Sequence, residues 1–565
     1  MSRRIGVYVC ECGNNIADNV DIDRITETIS PMRDVELVER YRLLCSEDGK
    51  EFLKQSIIEH QLTHVVVAAC SPKQHEHTFM GVCTAANLNP YLLQMANIRE
   101  QCAWVTPNKE EATDKAIRQI AAAVARVAYH EALEQKDIDA SPDVLVVGGG
   151  IAGIAASRVL ASPDRKVYLV EKTSSLGGKV KSFDKLFTKM ESGSALIESQ
   201  LKSLHENENI EVLTDSEVEQ ILGFFGNFEV KVLTKTTDEE RDLNVGAVVL
   251  ATGFELMDPA GLPQYGYGKL EDVYTSMEFE EMSIPGGPTG GKIVLKNGKP
   301  PQSVAIVHCV GRDEKGYCSK VCCMYSLKFA RMLKAELPEA KVAQLYSDLC
   351  IPGKAHQKFY EETKGLGVDF VRTASTKVDK NGKGMTIEYE GEGGSKGNLA
   401  ADMVILVPAM EPACDTHRFA EMLGIPVDSE GFLAQEHQKL APIASSVEGV
   451  FVVGCAQGPK SISESIVQSE AAAGKILSTL VPGRRLELEV KVSQISETFC
   501  TGCKTCISVC PYSAISFDDF RHIAVVNEAL CHGCGVCAAA CPSGAASVKN
   551  FAFTQIYREV AQVLR

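Results

Sequence analysis

The sequence predicts an α/β chain: a parallel α/β domain first, a nucleotide-binding parallel module next, and a small cysteine-rich domain last. Three observations predict it. Apolar runs that read as buried strands alternate with helical patterns through residues 1–485. One of them, Val144-Leu145-Val146-Val147, passes directly into Gly148-Gly149-Gly150-Ile151-Ala152-Gly153, and a cysteine–proline pattern is repeated between Cys500 and Pro542. The length of 565 residues allows several domains. The expected boundaries are 1–136, 137–485 and 486–550, with 551–565 as a helical tail.

Composition narrows the class. The chain is 45% apolar and 23% charged, as an ordinary soluble protein is, and its formal net charge of -16 argues against a basic surface for nucleic acid or anionic membrane. Protein partners fit that charge better. No run approaches the roughly 18 apolar residues of a spanning helix. Arg3-Arg4 is followed only by Ile5 to Cys10 before Glu11 intervenes, too short for an export signal, so a cytoplasmic location is expected. In that compartment 21 cysteines speak for metal rather than disulfides. Eighteen of them fall into three groups, which suggests an electron path.

Residues 1–136 show strands at Ile5–Val9, Leu37–Leu44 and Leu62–Ala69, with helical patterns between them, so the strands are expected to be parallel. Each stops at cysteine: Cys10 with Cys12, then Cys45, then Cys70. The C-terminal ends of parallel strands share one edge where ligands gather, which supplies enough thiolates for one iron–sulfur cluster. The competing reading is that these are small buried hydrophobes, and it is preferred for Cys83 and Cys102. His75 and His77 read as polar loop residues. A long helix is expected over 112–135, followed by a polar linker to Pro142.

Gly148, Gly150 and Gly153 fill the glycine positions of G-x-G-x-x-G, which allow a tight turn, approach of a pyrophosphate and close helix packing. A second apolar run, Val167 to Val170, ends at Glu171 with Lys172 beside it, where an acid meets a ribose hydroxyl. Leu176-Gly177-Gly178, the strand and turn Val248 to Gly253 with Ala251 and Thr252, and the late strand Gly449 to Gly454 resemble FAD-binding disulfide-reductase-like flavoproteins. The cofactor expected is therefore FAD. Gly226-Asn227 reads as a hairpin turn, and residues 283–302 as a surface excursion.

At Val304 to Val307 a nicotinamide-dependent flavoprotein would show a second glycine fingerprint. This strand ends instead in His308-Cys309-Val310-Gly311, followed by Cys318, Cys322 and Cys323. Four thiolates within fifteen residues read as a metal site, with Arg312 and Lys320 to offset their charge. Lys328 lies on the helix that follows, placed either towards the flavin, where a cation favours the reduced anion, or on a solvated face. The last domain carries Cys500-x2-Cys503-x2-Cys506-x3-Cys510-Pro511 and again Cys531-x2-Cys534-x2-Cys537-x3-Cys541-Pro542, the run of a two-cluster bacterial ferredoxin. The fourth cysteine of each run crosses over. One [4Fe–4S] cluster is expected on Cys500, Cys503, Cys506 and Cys541, the other on Cys531, Cys534, Cys537 and Cys510. Cys350, Cys414 and Cys455 read as isolated.

Taken together, the chain resembles the flavin-bearing A subunit of heterodisulfide reductases over nearly its whole length. The resemblance rests on Cys10-x-Cys12-Gly13, Cys45-Ser46, Cys70-Ser71-Pro72-x2-His75-Glu76, the glycine fingerprint, the Cys309 to Cys323 segment, Ala456-Gln457-Gly458-Pro459-Lys460 and the terminal ferredoxin. It implies an FAD and iron–sulfur oxidoreductase subunit that bifurcates or confurcates electrons, a homodimeric core, and redox partner subunits or ferredoxin. Two departures mark a shorter member with other partners, such as a benzoyl-CoA reductase complex. Residues 179–246 hold no cysteine, so no extra ferredoxin domain is inserted, and Lys181 to Leu186 lacks the family's cysteine pair. The alternatives are a stand-alone enzyme resembling the glutamate synthase small subunit, and a relay or scaffold whose flavin is structural or absent.

Overall fold

The computed structural model describes residues 3–382 and 384–564. The chain forms two compact units, one built from its beginning to Ile138 together with Glu487 onward, the other from Asp139–Leu486. Among the described residues no helix is long and apolar enough to cross a membrane.

The first unit opens with β1 (Ile5–Cys10), α1 (Ile22–Ile29), β2 (Val35–Tyr41), α2 (Glu47–Glu59), β3 (His64–Ala69), α3 (Pro72–Ala85), β4 (Leu93–Asn97) and α4 (Lys109–Val127). The sheet is wholly parallel in the order β2-β1-β3-β4. β1 and β3 are buried along their whole length, as continuous apolar runs at the centre of a parallel sheet should be. Helices begin where small polar side chains accept free backbone N–H groups: Asp21 for α1, Ser46 for α2 and Asn108 for α4. His75 and His77 lie on α3, not in a loop, because Pro72 starts a helix there with its preset φ. The helix α4 stops at Val127, short of the residue 135 that its periodicity suggested.

The second unit contains β5 (Val144–Val147), α5 (Ile151–Leu160), β6 (Val167–Val170), β7 (Ile210–Leu213) and β8 (Ala247–Leu250). A three-stranded antiparallel excursion, Ser216 to Val245, lies between the last two, its first turn made by Phe225 and Gly226, one residue earlier than expected. Next come α6 (Ser276–Ser283), β9 (Ser303–Val310), α7 (Cys322–Glu336), β10 (Lys341–Tyr346), β11 (Val368–Asn381), β12 (Met403–Pro408), β13 (Val450–Val452) and α8 (Ile462–Thr479). One parallel sheet runs β7-β6-β5-β8-β13. A larger mixed sheet has β12, β9, β10 and β11 as its parallel core. The excursion before β9 has no regular structure after Ser283, yet Ile293 is buried and its N–H donates to Glu336 at 2.9 Å.

The chain then returns to the first unit. Strand Ser493–Ile495 pairs with Ala546–Val548 and Ile515–Asp518 with Ile523–Val526, around short helices Thr505–Ser508 and Val536–Ala540, and α9 (Phe553–Val563) follows. Polar groups join this part to α4. Arg126 pairs with Glu559 at 2.7 Å, and buried Asn550 accepts from the Glu131 N–H at 2.9 Å while donating to the Glu131 and Tyr91 carbonyls. Asn550→Ala leaves those buried backbone groups unpaired and should cost about 2–4 kcal/mol. Trp104, the single tryptophan, belongs to this unit. Its fluorescence during urea unfolding should show the loss, and an unchanged midpoint would mean the junction contributes nothing.

Candidate functional site

The glycine string splits into three tasks. Gly148 has φ +105°, and a Cβ there would stand 2.4 Å from the Ala251 carbonyl oxygen, where the ends of β5 and β8 converge. At Gly153 a Cβ would fall 1.9 Å from the Gly148 carbonyl oxygen, so only glycine lets α5 lie against the turn. A Cβ at Gly150 would meet no protein atom within 4 Å. That position looks into a cavity. Gly178, at φ +53°, would bring a Cβ to 3.0 Å from the Gly150 Cα, and the Gly177 N–H donates to the Gly149 carbonyl at 2.8 Å, so the second glycine loop closes on the first.

The cavity has a volume of about 650 Å³, within the usual range for cofactor sites. Gly148, Gly150, Glu171, Lys172, Gly178, Ala251, Thr252 and Gly253 line it. Gly153, Gly177, Gly454, Gln457 and Gly458 do not. They shape the backbone around it: the Gly454 N–H donates to Gln468, which also donates to Gln457. Glu171 accepts from the Gly149 N–H at 2.7 Å and from the Thr173 N–H and hydroxyl at 2.9 and 2.8 Å. This fixes its carboxylate at the cavity wall. Lys172 is tied to Asp415 at 3.0 Å and lies 3.7 Å from Cys414. Two features fit the residues to FAD: the first turn of α5 has no side-chain cap, leaving its N–H groups for phosphate, and the buried Thr252 hydroxyl has no partner.

The same cavity is walled on another side by Val321, Tyr325 and Lys328 of α7 and its lead-in. Lys328 is 2% exposed, so the solvated-face alternative fails. Its ammonium pairs with Glu280 on α6 and lies 5.4 Å from the Phe183 ring centre. Burial pushes the Lys328 pKa down and the Glu280 pKa up, each opposed by the other's charge. Glu280, Thr173 and Phe183 carried no sequence signal. Their roles come from contacts across 48, 2 and 145 residues respectively, and only a glance at polar side chains within a few residues of Glu171 could have found Thr173.

At the head of α7 stand Cys322 and Cys323. Cys318 is held down to about 6 and Cys323 to about 4, in each case chiefly by a hydrogen bond with Cys322, whose own thiol is pushed up. The Lys320 N–H donates to Cys318 at 3.3 Å, and the Cys350 N–H to Cys323 at 3.3 Å, so Cys350 is not isolated. Arg312 reaches Cys309 and feels Cys318.

Residues 142–469 match the model of the pyridine nucleotide-disulphide oxidoreductase family, and 499–545 that of the 4Fe-4S dicluster domain. The chain is 33% identical to a protein of Archaeoglobus profundus that is like the A subunit of heterodisulfide reductase, covering 92% of each chain. It is 34% identical to the iron-sulfur A subunit of a CoB–CoM heterodisulfide reductase of Methanopyrus kandleri, covering 91% of each. It is also 34% identical to the A subunit of the ferredoxin:CoB-CoM heterodisulfide reductase of Methanosarcina mazei, covering 92% of this chain and 76% of that one. The chain belongs to the family of heterodisulfide reductase A subunits.

As a heterodisulfide reductase A subunit it is an FAD and iron–sulfur oxidoreductase subunit with a two-cluster ferredoxin domain. In that domain Cys500, Cys503, Cys506 and Cys541 line one small cavity. Cys531 accepts from the Ser493 N–H at 3.3 Å, Cys537 lies 3.2 Å from the Ser493 hydroxyl, and Cys510 accepts from the Ala514 N–H at 3.4 Å. At the N-terminal sheet edge Arg99 donates to Cys12 at 3.5 Å. Burial pushes Cys10 up to about 11, with Cys12 and Cys45 close enough to add to it, while burial raises Cys70 against the pull of Arg99. Among the described residues no three His, Cys, Asp or Glu side chains are grouped as around a single ion. A cubane spreads its thiolates over four irons and does not require that grouping.

The glycines give a paired prediction. Gly150→Val should abolish FAD binding, read as loss of flavin absorbance, while the iron of the first unit is retained. Gly153→Val, which drives a side chain into the Gly148 carbonyl, should instead unfold the second unit. Retained flavin in Gly150→Val, or normal stability in Gly153→Val, would contradict this division of labour.

Proposed function

We propose that this chain is the electron-bifurcating or confurcating subunit of a heterodisulfide-reductase-like complex, exchanging electrons between FAD, its iron–sulfur clusters, partner redox subunits and ferredoxin. The observation that carries the proposal is α7: its first two residues are cysteines, and Tyr325 and Lys328 on the same helix line the flavin cavity. Cys309, Cys318, Cys322 and Cys323 would hold a third [4Fe–4S] cluster there, and Cys10, Cys12, Cys45 and Cys70 a fourth. When bound, FAD supplies the crossing between two-electron and one-electron transfer.

The chain's own residues supply the setting for that chemistry. The α5 N–H groups and Gly150 would receive phosphate, Glu171 would hold the ribose, and Lys328, paired with Glu280, would offer its ammonium to the ring system. No second glycine fingerprint follows β9, and names among the relatives include ferredoxin-linked enzymes, which supports ferredoxin rather than a nicotinamide nucleotide as partner.

Cys322→Ala should keep FAD, because the fingerprint is untouched, lose about four irons per chain, and slow flavin reduction by a partner complex by orders of magnitude. Reduction at the wild-type rate would show that electrons reach the flavin by another way. Rapid stoichiometric bleaching of the wild-type flavin by NADH or NADPH would overturn the proposal in favour of a stand-alone enzyme. Lys328→Met should retain both flavin and irons yet lower the flavin's midpoint potential, since a charge favouring the reduced anion is gone. An unchanged potential in redox titration would remove Lys328 from the site.

A further inference from the structure

A dinucleotide that starts at Gly150 and reaches Lys328 has to pass the first turn of α8. Lys460, Ser461, Ile462 and Ser463 line the cavity there, together with Cys455 from the preceding turn. Two contacts hold this stretch between the two ends of the cavity. Ile462 and Ile466 pack with Ile151 of α5, and Glu464 pairs at 2.6 Å with Lys320, the neighbour of the cavity residue Val321. The turn is closed by Ser461 and Glu464, each side chain accepting the other's backbone N–H, and by the Cys455 thiol, which donates to the Lys460 carbonyl at 3.5 Å. Lys460 is therefore carried on a braced segment.

Its charge sets it apart from two other lysines of the cavity wall. Lys172 is tied to Asp415 and Lys328 to Glu280, so each brings a carboxylate with its ammonium. Among the described residues no acid or carbonyl pairs with the Lys460 ammonium. Glu464, the acid next along the chain, is taken by Lys320 and by the Ser461 N–H. Cys455 brings no compensating charge, because burial pushes its thiol up. Burial pulls the Lys460 pKa down, and the charge of Lys320 acts in the same direction. A part-buried ammonium without a counter-ion is under-solvated until a ligand supplies a negative atom. A paired lysine acts on that ligand as a dipole and an unpaired one as a charge, whose field reaches further. We propose that Lys460 faces the ring system of the flavin and supplies the uncompensated positive charge that holds its reduced, anionic form, the paired Lys328 contributing less. The proposal rests on the reading that FAD fills this cavity and deepens it by naming the cation that sets the flavin's potential.

The test is an anaerobic redox titration of the full chain carrying its FAD and iron. Lys460→Met should bind reduced FAD about tenfold more weakly relative to oxidised FAD, a fall in midpoint potential of about 30 mV for a two-electron couple. Lys460→Arg, which keeps the charge, should stay near wild type, and Lys328→Met should fall by less than Lys460→Met. Lys475→Met removes a charge from an exposed position on the same helix outside the cavity wall and should leave the potential unchanged. Iron content should match wild type throughout. A wild-type potential in Lys460→Met with FAD bound overturns the inference and leaves the FAD reading standing. So does an equal fall in Lys475→Met, or a larger one in Lys328→Met. A wild-type chain that takes up no FAD on reconstitution overturns both. Loss of oxidised FAD from Lys460→Met and Lys460→Gln alike, with iron retained, would show that the ammonium holds the cofactor in either state and overturn its assignment to the reduced one.

Discussion

Everything in the second unit depends on one close approach, that of α5 to the turn before it. The Gly153 backbone passes so near the Gly148 carbonyl that no side chain fits between them. That contact sets the first turn of α5 at the mouth of the sheet, with its N–H groups facing the cavity. The ends of β5 and β8 then meet at Gly148 and Ala251, and the second glycine loop settles on Gly150. A cavity lined at one end by backbone donors follows from packing alone. The phosphate preference of that end comes from the orphan N–H groups of the helix.

The opposite end poses a harder electrostatic problem. Removing Lys328 from water costs several kcal/mol unless a partner compensates, and Glu280 supplies that partner from α6. The pairing leaves the second Glu280 oxygen buried without a hydrogen bond. Neither residue is well satisfied by the other alone. Such a pair is expensive as a structural element and reasonable beside a ligand whose charge changes, because redistribution of charge between ammonium and carboxylate then tracks the state of the ligand.

Much of this was legible in the sequence because it depends on short-range rules. The glycine spacing, the strand runs of β1, β3 and β5, and the doubled cysteine pattern each encode local geometry that few other sequences satisfy. The parts that were not legible depend on meetings between distant segments. Glu280 is an unremarked acid in a short helix until α6 is packed against α7. Cys350 is a lone thiol until β10 brings its N–H to Cys323. The union of the N-terminal sheet with the ferredoxin part rests on Asn550 and Arg126, polar residues with no period to read, reaching across more than 400 positions. The helical tail was expected over 551–565, but that α9 buries Gln555 against the Tyr129 carbonyl was not, since that contact depends on a residue 426 positions away.

The two helices that face the cavity apply the same physics to different anions. At α5 the uncapped N-terminus and an open Gly150 leave room and free N–H groups for a phosphate. In a two-nucleotide flavoprotein a second helix would do likewise after β9. Here Cys309, next to last in β9, and Gly311, just beyond it, take left-handed backbone conformations, and Cys322 and Cys323 occupy the first turn of α7. A helix N-terminus that stabilises phosphate also stabilises thiolate. With the proposed cluster in place, the edge would keep its preference for negative charge while the source of that charge moved from a dissociable nucleotide to the chain itself. A diffusible electron carrier would thereby be exchanged for a resident one, on a fold whose strand order did not have to change.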